Sequence, residues 1–346
     1  MLNPISKLRL SDRPSHTSVS HDGRRFVVCT RTGICTLLDD DLRAVDEINF
    51  GIGVEWVQLD KTGSTLLVGF ADRIDGYTTS CRISRSFSLA AAETSGPCCV
   101  FDRDGQVLCV ASWAKGPILS AWDLGSSTVI AEIPLPNRGL GYYLVAHPEG
   151  EAMAAIAFSG QSEEWMFWAH YAHGRLQVFS RPEIEGVSLP WFHPTGREFV
   201  SQHDSLGLCR MRFPSGDLIA SVKPEQAFPE NPQDGFSYDV HFLGDDRLLA
   251  WQCNLALYQF DLATLRRIDV VLKGAEGMTF GEDRFFSGQS WQLAGGRLLT
   301  SDSYHDQGSR SRTYTLRLWD ASELYGGVSI PDPTSPFTRL LLGSGP

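Results

Sequence analysis

Short apolar stretches of four to eight residues alternate with polar turns along the whole chain, and no stretch sustains a 3.6-residue apolar period. The clearest run predicts strands at Cys98–Phe101, Gln106–Trp113, Ile118–Leu124 and Thr128–Leu135. The segments between them, Asp102–Gly105, Ala114–Pro117 and Gly125–Ser127, carry the Gly and Pro that turns require. Four short strands joined by short turns form an antiparallel meander. The same reading predicts Thr17–Ser20, Arg25–Thr30, Gly33–Leu38 and Ala44–Phe50, followed by Glu55–Leu59, Ser64–Phe70, Tyr77–Ile83 and Arg85–Ala90. Further on it predicts Tyr142–Ala146, Ala152–Phe158, Trp165–Tyr171 and Arg175–Ser180, then Ser188–Phe192, Glu198–Gln202, Gly207–Phe213 and Asp217–Val222. A sixth group covers Tyr238–Leu243, Arg247–Gln252, Leu255–Asp261 and Arg267–Leu272.

One turn signal recurs seven times, every 40 to 50 residues, from Ser20-His21-Asp22-Gly23 through His147-Pro148-Glu149-Gly150 and His193-Pro194-Thr195-Gly196 to Leu293-Ala294-Gly295-Gly296. A period of this length marks a repeat architecture. The fold class it predicts is all-β, a seven-bladed β-propeller of four-stranded antiparallel blades. The seventh group shows only Phe286–Gln292, Arg297–Ser301 and Thr313–Asp320, while Ile5–Leu10 precedes the first group without a partner. The N-terminal strand is therefore expected to close the ring as the outer strand of the last blade, with Thr338–Leu342 as the alternative. Residues 1–325 are read as one propeller and 326–346 as a Pro/Ser-rich tail.

Composition narrows the function classes. Apolar residues make up 42% of the 346-residue chain, enough to fill a core. The formal net charge of −11 disfavours a phosphate-backbone partner, so no nucleic acid is expected. Met1–Leu10 has no apolar run of the secretory kind, and no stretch approaches a membrane span. Most of the eight cysteines sit among apolar residues, as in Val27-Val28-Cys29, and no Cys-x-x-Cys pair occurs. They read as reduced, buried thiols, with a cytoplasmic location as the default and a monomer on its own.

Trp122-Asp123 and Trp319-Asp320, with Phe260-Asp261 as a variant, end predicted third strands, and the two His-Pro turns, His147–Gly150 and His193–Gly196, stand at the first hairpin turn of their blades. In these residues the chain resembles the WD-repeat family of β-propellers, over about residues 5 to 322. No Gly-His pair starts any unit, so the His–Ser/Thr–Asp–Trp set that braces such blades is not evident. The resemblance implies a rigid, non-catalytic scaffold that binds a protein or peptide partner, with no cofactor. It also implies that loops joining second to third strands, and fourth strands to the next blade, share one docking face.

The longest loops on that face are Lys223–Gly235, Lys273–Arg284 and Asp302–Arg312. Loop position and interface-prone chemistry select Arg73, Arg138, Phe228, Tyr304, His305 and Arg310 as partner contacts. The alternative is a lactonase-like, metal-assisted propeller hydrolase or a small-ligand-binding propeller with its site at the axial tunnel. There Glu55 and Asp239, with His16 nearby, are the weak metal candidates. The aromatic run Trp165–Tyr171 reads as core packing. Ser301-Asp302-Ser303-Tyr304-His305-Asp306 reads as a polar loop, because neighbours in sequence do not converge into a triad.

Overall fold

The computed structural model describes residues 4–20, 22–79, 82–90, 99–101, 107–112, 116–135, 141–148, 152–158, 164–185, 190–230, 236–252, 256–273, 278–280, 291–306 and 311–325. Nearly all their regular structure is strand, with only two short helical turns. β1 (Pro4–Leu10) leads into a first blade of β2 (Pro14–Val19), β3 (Phe26–Thr30), β4 (Ile34–Leu38) and β5 (Ala44–Asn49). The second blade is β6 (Trp56–Leu59), β7 (Thr65–Gly69), β8 (Ile74–Thr78) and β9 (Ser84–Leu89). The third is β10 (Cys99–Phe101), β11 (Val107–Ser112), β12 (Ile118–Asp123) and β13 (Thr128–Pro134). The fourth is β14 (Gly141–Ala146), β15 (Ala152–Phe158), β16 (Glu164–Ala172) and β17 (Arg175–Glu185).

The fifth is β18 (Trp191–Phe192), β19 (Glu198–His203), β20 (Gly207–Arg212) and β21 (Leu218–Val222). After the single helical turn α1 (Pro224–Ala227) comes a sixth, of β22 (Phe236–Leu243), β23 (Arg247–Gln252), β24 (Ala256–Asp261) and β25 (Arg267–Lys273). In the last, β26 (Met278–Phe280) and β27 (Trp291–Ala294) both pair with β28 (Arg297–Asp306), which pairs with β29 (Ser311–Asp320). The protein is a seven-bladed β-propeller. Residues 326–346, the predicted tail, lie outside the described residues.

The pattern within a blade follows from burial. The second strand of the first blade, Phe26–Thr30, is buried at every position, whereas its fourth strand, Ala44–Asn49, is exposed at alternate positions or more. Middle strands are covered on both faces and so read as continuous apolar runs. Outer strands face water and carry the charge.

By their contacts the blades form two compact units. One holds the last, first and second blades and the other the third to sixth, the sixth being divided at Leu257/Tyr258 and Asp269/Val270. In the first unit β1 pairs antiparallel with β29, from Pro4↔Trp319 to Leu10↔Tyr314, so the N-terminal strand is the outer strand of the last blade as expected. Leu8 and Leu10 pack on a cluster of Phe26, Val28, Leu38, Leu42, Leu299, Leu316 and Leu318. Arg297 donates to the Asp40 carbonyl, and the Ser6 hydroxyl donates to the Asp41 carbonyl at 2.7 Å.

In the second unit the aromatic strand β16 is core. Met166, Phe167, Trp168 and Ala169 are all buried, and Trp168 packs edge-on to Phe199 and Phe213 while its Nε1 donates to the Pro214 carbonyl at 3.0 Å.

Three expectations change. The third strand of the second blade is Ile74–Thr78 rather than Tyr77–Ile83, because it contains a buried charge, Asp75, that apolar patterning reads as loop. Cys29 and Cys35 are not free thiols: they stand opposite each other in register on β3 and β4, Cα atoms 4.0 Å apart, and are joined as a disulfide. Cys99, Cys109 and Cys209 are buried, as read, and burial pushes the Cys209 thiol up to about 12. The Asp302–Arg312 loop is mostly strand, since β28 and β29 stay paired out to Asp306↔Ser311. Among the described residues no helix is long and apolar enough to cross a membrane.

Candidate functional site

Two neighbouring loops at one end of the second blade form the best-built surface feature of the first unit. The first, Phe50–Glu55, leaves β5 and enters β6. Its Gly51-Ile52-Gly53 tip turns with φ of 74° at Gly51 and 118° at Gly53, and leaves Ile52 93% exposed. The second is the four-residue turn Phe70–Arg73 between β7 and β8, closed by the Phe70 N–H to Arg73 carbonyl bond of 2.8 Å.

The loops are braced from below. Phe50 packs against Phe70 with ring centroids 6.1 Å apart and against Tyr77 at 5.0 Å. The Phe50 N–H donates to the Gly33 carbonyl at 2.9 Å, the Gly51 N–H to Asn49 Oδ1 at 2.8 Å, and the Glu55 N–H to the Gly69 carbonyl at 2.9 Å. The His16 ring hydrogen-bonds the Val54 backbone, and burial holds that imidazole below its ordinary value. An aliphatic tip on such a base loses little entropy on binding.

Arg73 is equally fixed. Its Nε donates to Asp75 Oδ2 at 3.1 Å, its Nη1 to Asp72 Oδ1 at 3.0 Å, and its guanidinium lies 4.2 Å from the centre of the Phe70 ring. Asp75 is 1% exposed. It also accepts from Arg85 Nη2 at 2.7 Å, from Ser88 Oγ at 2.6 Å and from the Tyr77 hydroxyl at 3.4 Å. Burial would raise the Asp75 carboxyl. The hydrogen bonds from Ser88 and Arg73 and the charge of Arg85 outweigh it and hold the carboxyl below the usual carboxylate range. Glu55 differs: its partial burial raises its carboxyl, and among the described residues no side chain pairs with it.

Of the residues singled out from the sequence, Arg73 lies in this loop pair and Glu55 ends it. Phe228 does not lie on a surface. Its ring is fully buried against Phe236, Tyr258 and Phe260, because the chain after α1 folds back into the sixth blade. There Arg267 ion-pairs with Glu230 and stacks on Tyr258, so Lys223–Glu230 is pinned. Tyr304 and His305 are strand residues of β28, opposite Thr313 and Arg312. Arg138 and Arg310 lie outside the described residues. Asp239 is a β22 residue of the second unit, whereas Glu55 belongs to the first. Among the described residues no group of three or more His, Cys, Asp or Glu is arranged to hold a metal ion.

The sequence reading overlooked Ile52, whose signal is an apolar residue between two turn glycines. The WD-like dipeptides prove structural. Asp123, Asp261 and Asp320 each accept from a Ser or Thr two or three residues on, through both backbone N–H and hydroxyl, and so cap the turn into the fourth strand after Asp123 and Asp261 and the 3-10 turn Ser322–Tyr325 after Asp320. In the last blade the Trp319 Nε1 donates to Thr300 Oγ1 at 2.9 Å, one bond of the bracing set that the sequence alone does not reveal. No protein-family model and no curated protein matches the chain, so the WD-repeat resemblance rests on these motifs and on the propeller itself.

Proposed function

We propose that this WD-repeat-like propeller is a non-catalytic scaffold that binds a protein or peptide partner, with the Phe50–Glu55 and Phe70–Arg73 loops as its recognition surface. One observation carries this reading: Ile52, 93% exposed, stands on a braced loop beside an arginine that is held in place. An exposed aliphatic anchor and a stacked, oriented guanidinium are features of interface hot spots. Arg138, Tyr304, His305 and Arg310 are further proposed contacts; Phe228, being buried, is not.

The reading is tested by selecting peptides from a random display library on the wild-type protein. Selected peptides are expected to lose at least tenfold in affinity on Ile52→Asp and on Arg73→Ala, while melting temperature changes little for Ile52→Asp. Peptides that bind both variants as tightly as wild type would show that these loops are not the surface. Recovery of none would count against peptide binding altogether.

A further inference from the structure

The Cys29–Cys35 disulfide lies beneath the same loop pair, and packing joins the two features. This is the last registered pair of β3 and β4 before an exposed turn at Arg31 and Thr32. Both cysteines, each 0% exposed, belong to one apolar cluster with Phe70 and Tyr77, against which Phe50 and Val54 pack. The turn also grips the loop through its backbone. Gly33 accepts from the Phe50 N–H and lies so close to Gly51 that a Cβ at Gly33, where φ is +82°, would overlap the Gly51 carbonyl.

We propose that Cys29–Cys35 is a reversible thiol–disulfide site whose state sets the order of the Phe50–Glu55 loop. Its regulatory meaning rests on the reading of that loop as a recognition surface; its structural effect does not. Bonded sulfurs lie about 2 Å apart, whereas two thiols need ordinary van der Waals separation, on the order of 3.5 Å. In a close-packed core that extra space comes only from displaced neighbours. The cluster that holds both cysteines also holds Phe70 and Tyr77, with Phe50 packed against it, the base of the loop pair.

The chemistry is exchange with a low-molecular-weight disulfide. One cysteine thiolate attacks a sulfur of that molecule, forming a mixed disulfide and releasing one thiolate, which takes up a proton as thiol. The second cysteine thiolate attacks the protein-bound sulfur of the mixed disulfide, closing Cys29–Cys35 and releasing the second thiol. Two protein thiols are oxidised and one small disulfide is reduced to two thiols. A dithiol reductant runs the exchange in reverse. Opening of the exposed turn next to the pair gives the small molecule access.

The test equilibrates the full-length protein in buffers of graded reduced-to-oxidised glutathione ratio. One part is denatured, alkylated and weighed; the other is followed by amide hydrogen exchange at residues 50–55, with β20 as reference. Cys29 and Cys35 are expected to become alkylated together with a single midpoint. Residues 50–55 should exchange at least tenfold faster in the reduced form, with β20 unchanged. A Cys29→Ala/Cys35→Val variant should show no dependence on the buffer. Equal exchange at 50–55 in both states would overturn the proposal. So would alkylation of both cysteines at every ratio, or loss of protection throughout the molecule on reduction. A loop indifferent to redox state but still peptide-binding defeats this inference alone. A redox-responsive loop that binds no peptide defeats only the recognition reading.

Discussion

The Nε2 of His147 lies 2.8 Å from the carbonyl oxygen of Gly196, so the first hairpin turn of the fourth blade is tied to the same turn of the fifth. The relation recurs. His193 Nε2 lies 3.9 Å from Asp245 of the sixth blade's turn, and in the first unit Gly63 packs on Ser20 and Arg25 of the preceding blade. The periodic turns thus do more than reverse the chain; they link the fourth blade to the fifth, the fifth to the sixth and the first to the second.

His147→Ala removes that bond, strands a carbonyl and deletes ring contacts to Phe192 and Phe213. A loss of about 2–4 kcal/mol is expected in urea unfolding. Gly196→Ala should cost a similar amount, because φ is +68° and a Cβ would strike the His147 ring. A loss below about 0.5 kcal/mol for both would refute the lock.

The two Trp-Asp dipeptides offer a paired experiment. Trp319 lies opposite Leu298, and its acceptor Thr300 is two residues further along β28. Trp122 lies opposite Leu108, and the matching position on β11 is Val110, so among the described residues the buried Trp122 Nε1 has no partner. Thr300→Val should cost roughly 1–2 kcal/mol and Val110→Thr should gain up to about 1 kcal/mol. Thermal unfolding of the two variants checks both signs; a destabilised Val110→Thr would mean that its hydroxyl does not reach the indole.

The blades were legible in the sequence because middle strands are buried on both faces and turns need Gly, Asp or Pro. The site was less so, for physical reasons. Asp75 is a fully paired carboxylate inside a strand, and pairing that makes its burial tolerable involves Arg73, Arg85 and Ser88 at spacings no local pattern reveals. Phe228 sits in what reads as a polar loop, yet that loop folds back on its own blade. Cys29 and Cys35 flank a hairpin turn, but whether two strand cysteines face each other depends on register, and a one-residue slip would separate them.

Three histidines make stability acid-sensitive. Burial lowers His16 and His193, the latter partly offset by Asp245 and Glu198, and pushes His241 down to about 4 from 6.5. The unfolded chain therefore binds more protons than the folded one between these values. Their contribution is complete above about pH 6.5 and is lost as pH falls toward about 4, with His241 accounting for at most about 3 kcal/mol. Urea midpoints measured from pH 7.5 to 4.5 should fall steadily, and His241→Gln should flatten the slope. A flat wild-type profile would contradict the burial of these rings.

β1 completes the last blade, and its loss should be felt through both its bonds and its packing. Removing residues 1–11 leaves the β29 edge unpaired from Tyr314 to Trp319 and strips Leu8 and Leu10 from the cluster around Leu316 and Leu318. Two partly buried leucines and the strand ladder together predict a loss of roughly 3–5 kcal/mol. The exposed edge predicts concentration-dependent association. A synthetic peptide of residues 2–13, added in excess, should bind by strand addition and restore both the melting temperature and the monodisperse state. The same peptide with Leu8 and Leu10 replaced by Ser should fail, since backbone pairing without the apolar face offers too little. Equal rescue by both peptides would place the stabilisation in the hydrogen-bond ladder alone, and an unaffected truncation would remove β1 from the fold's energetics.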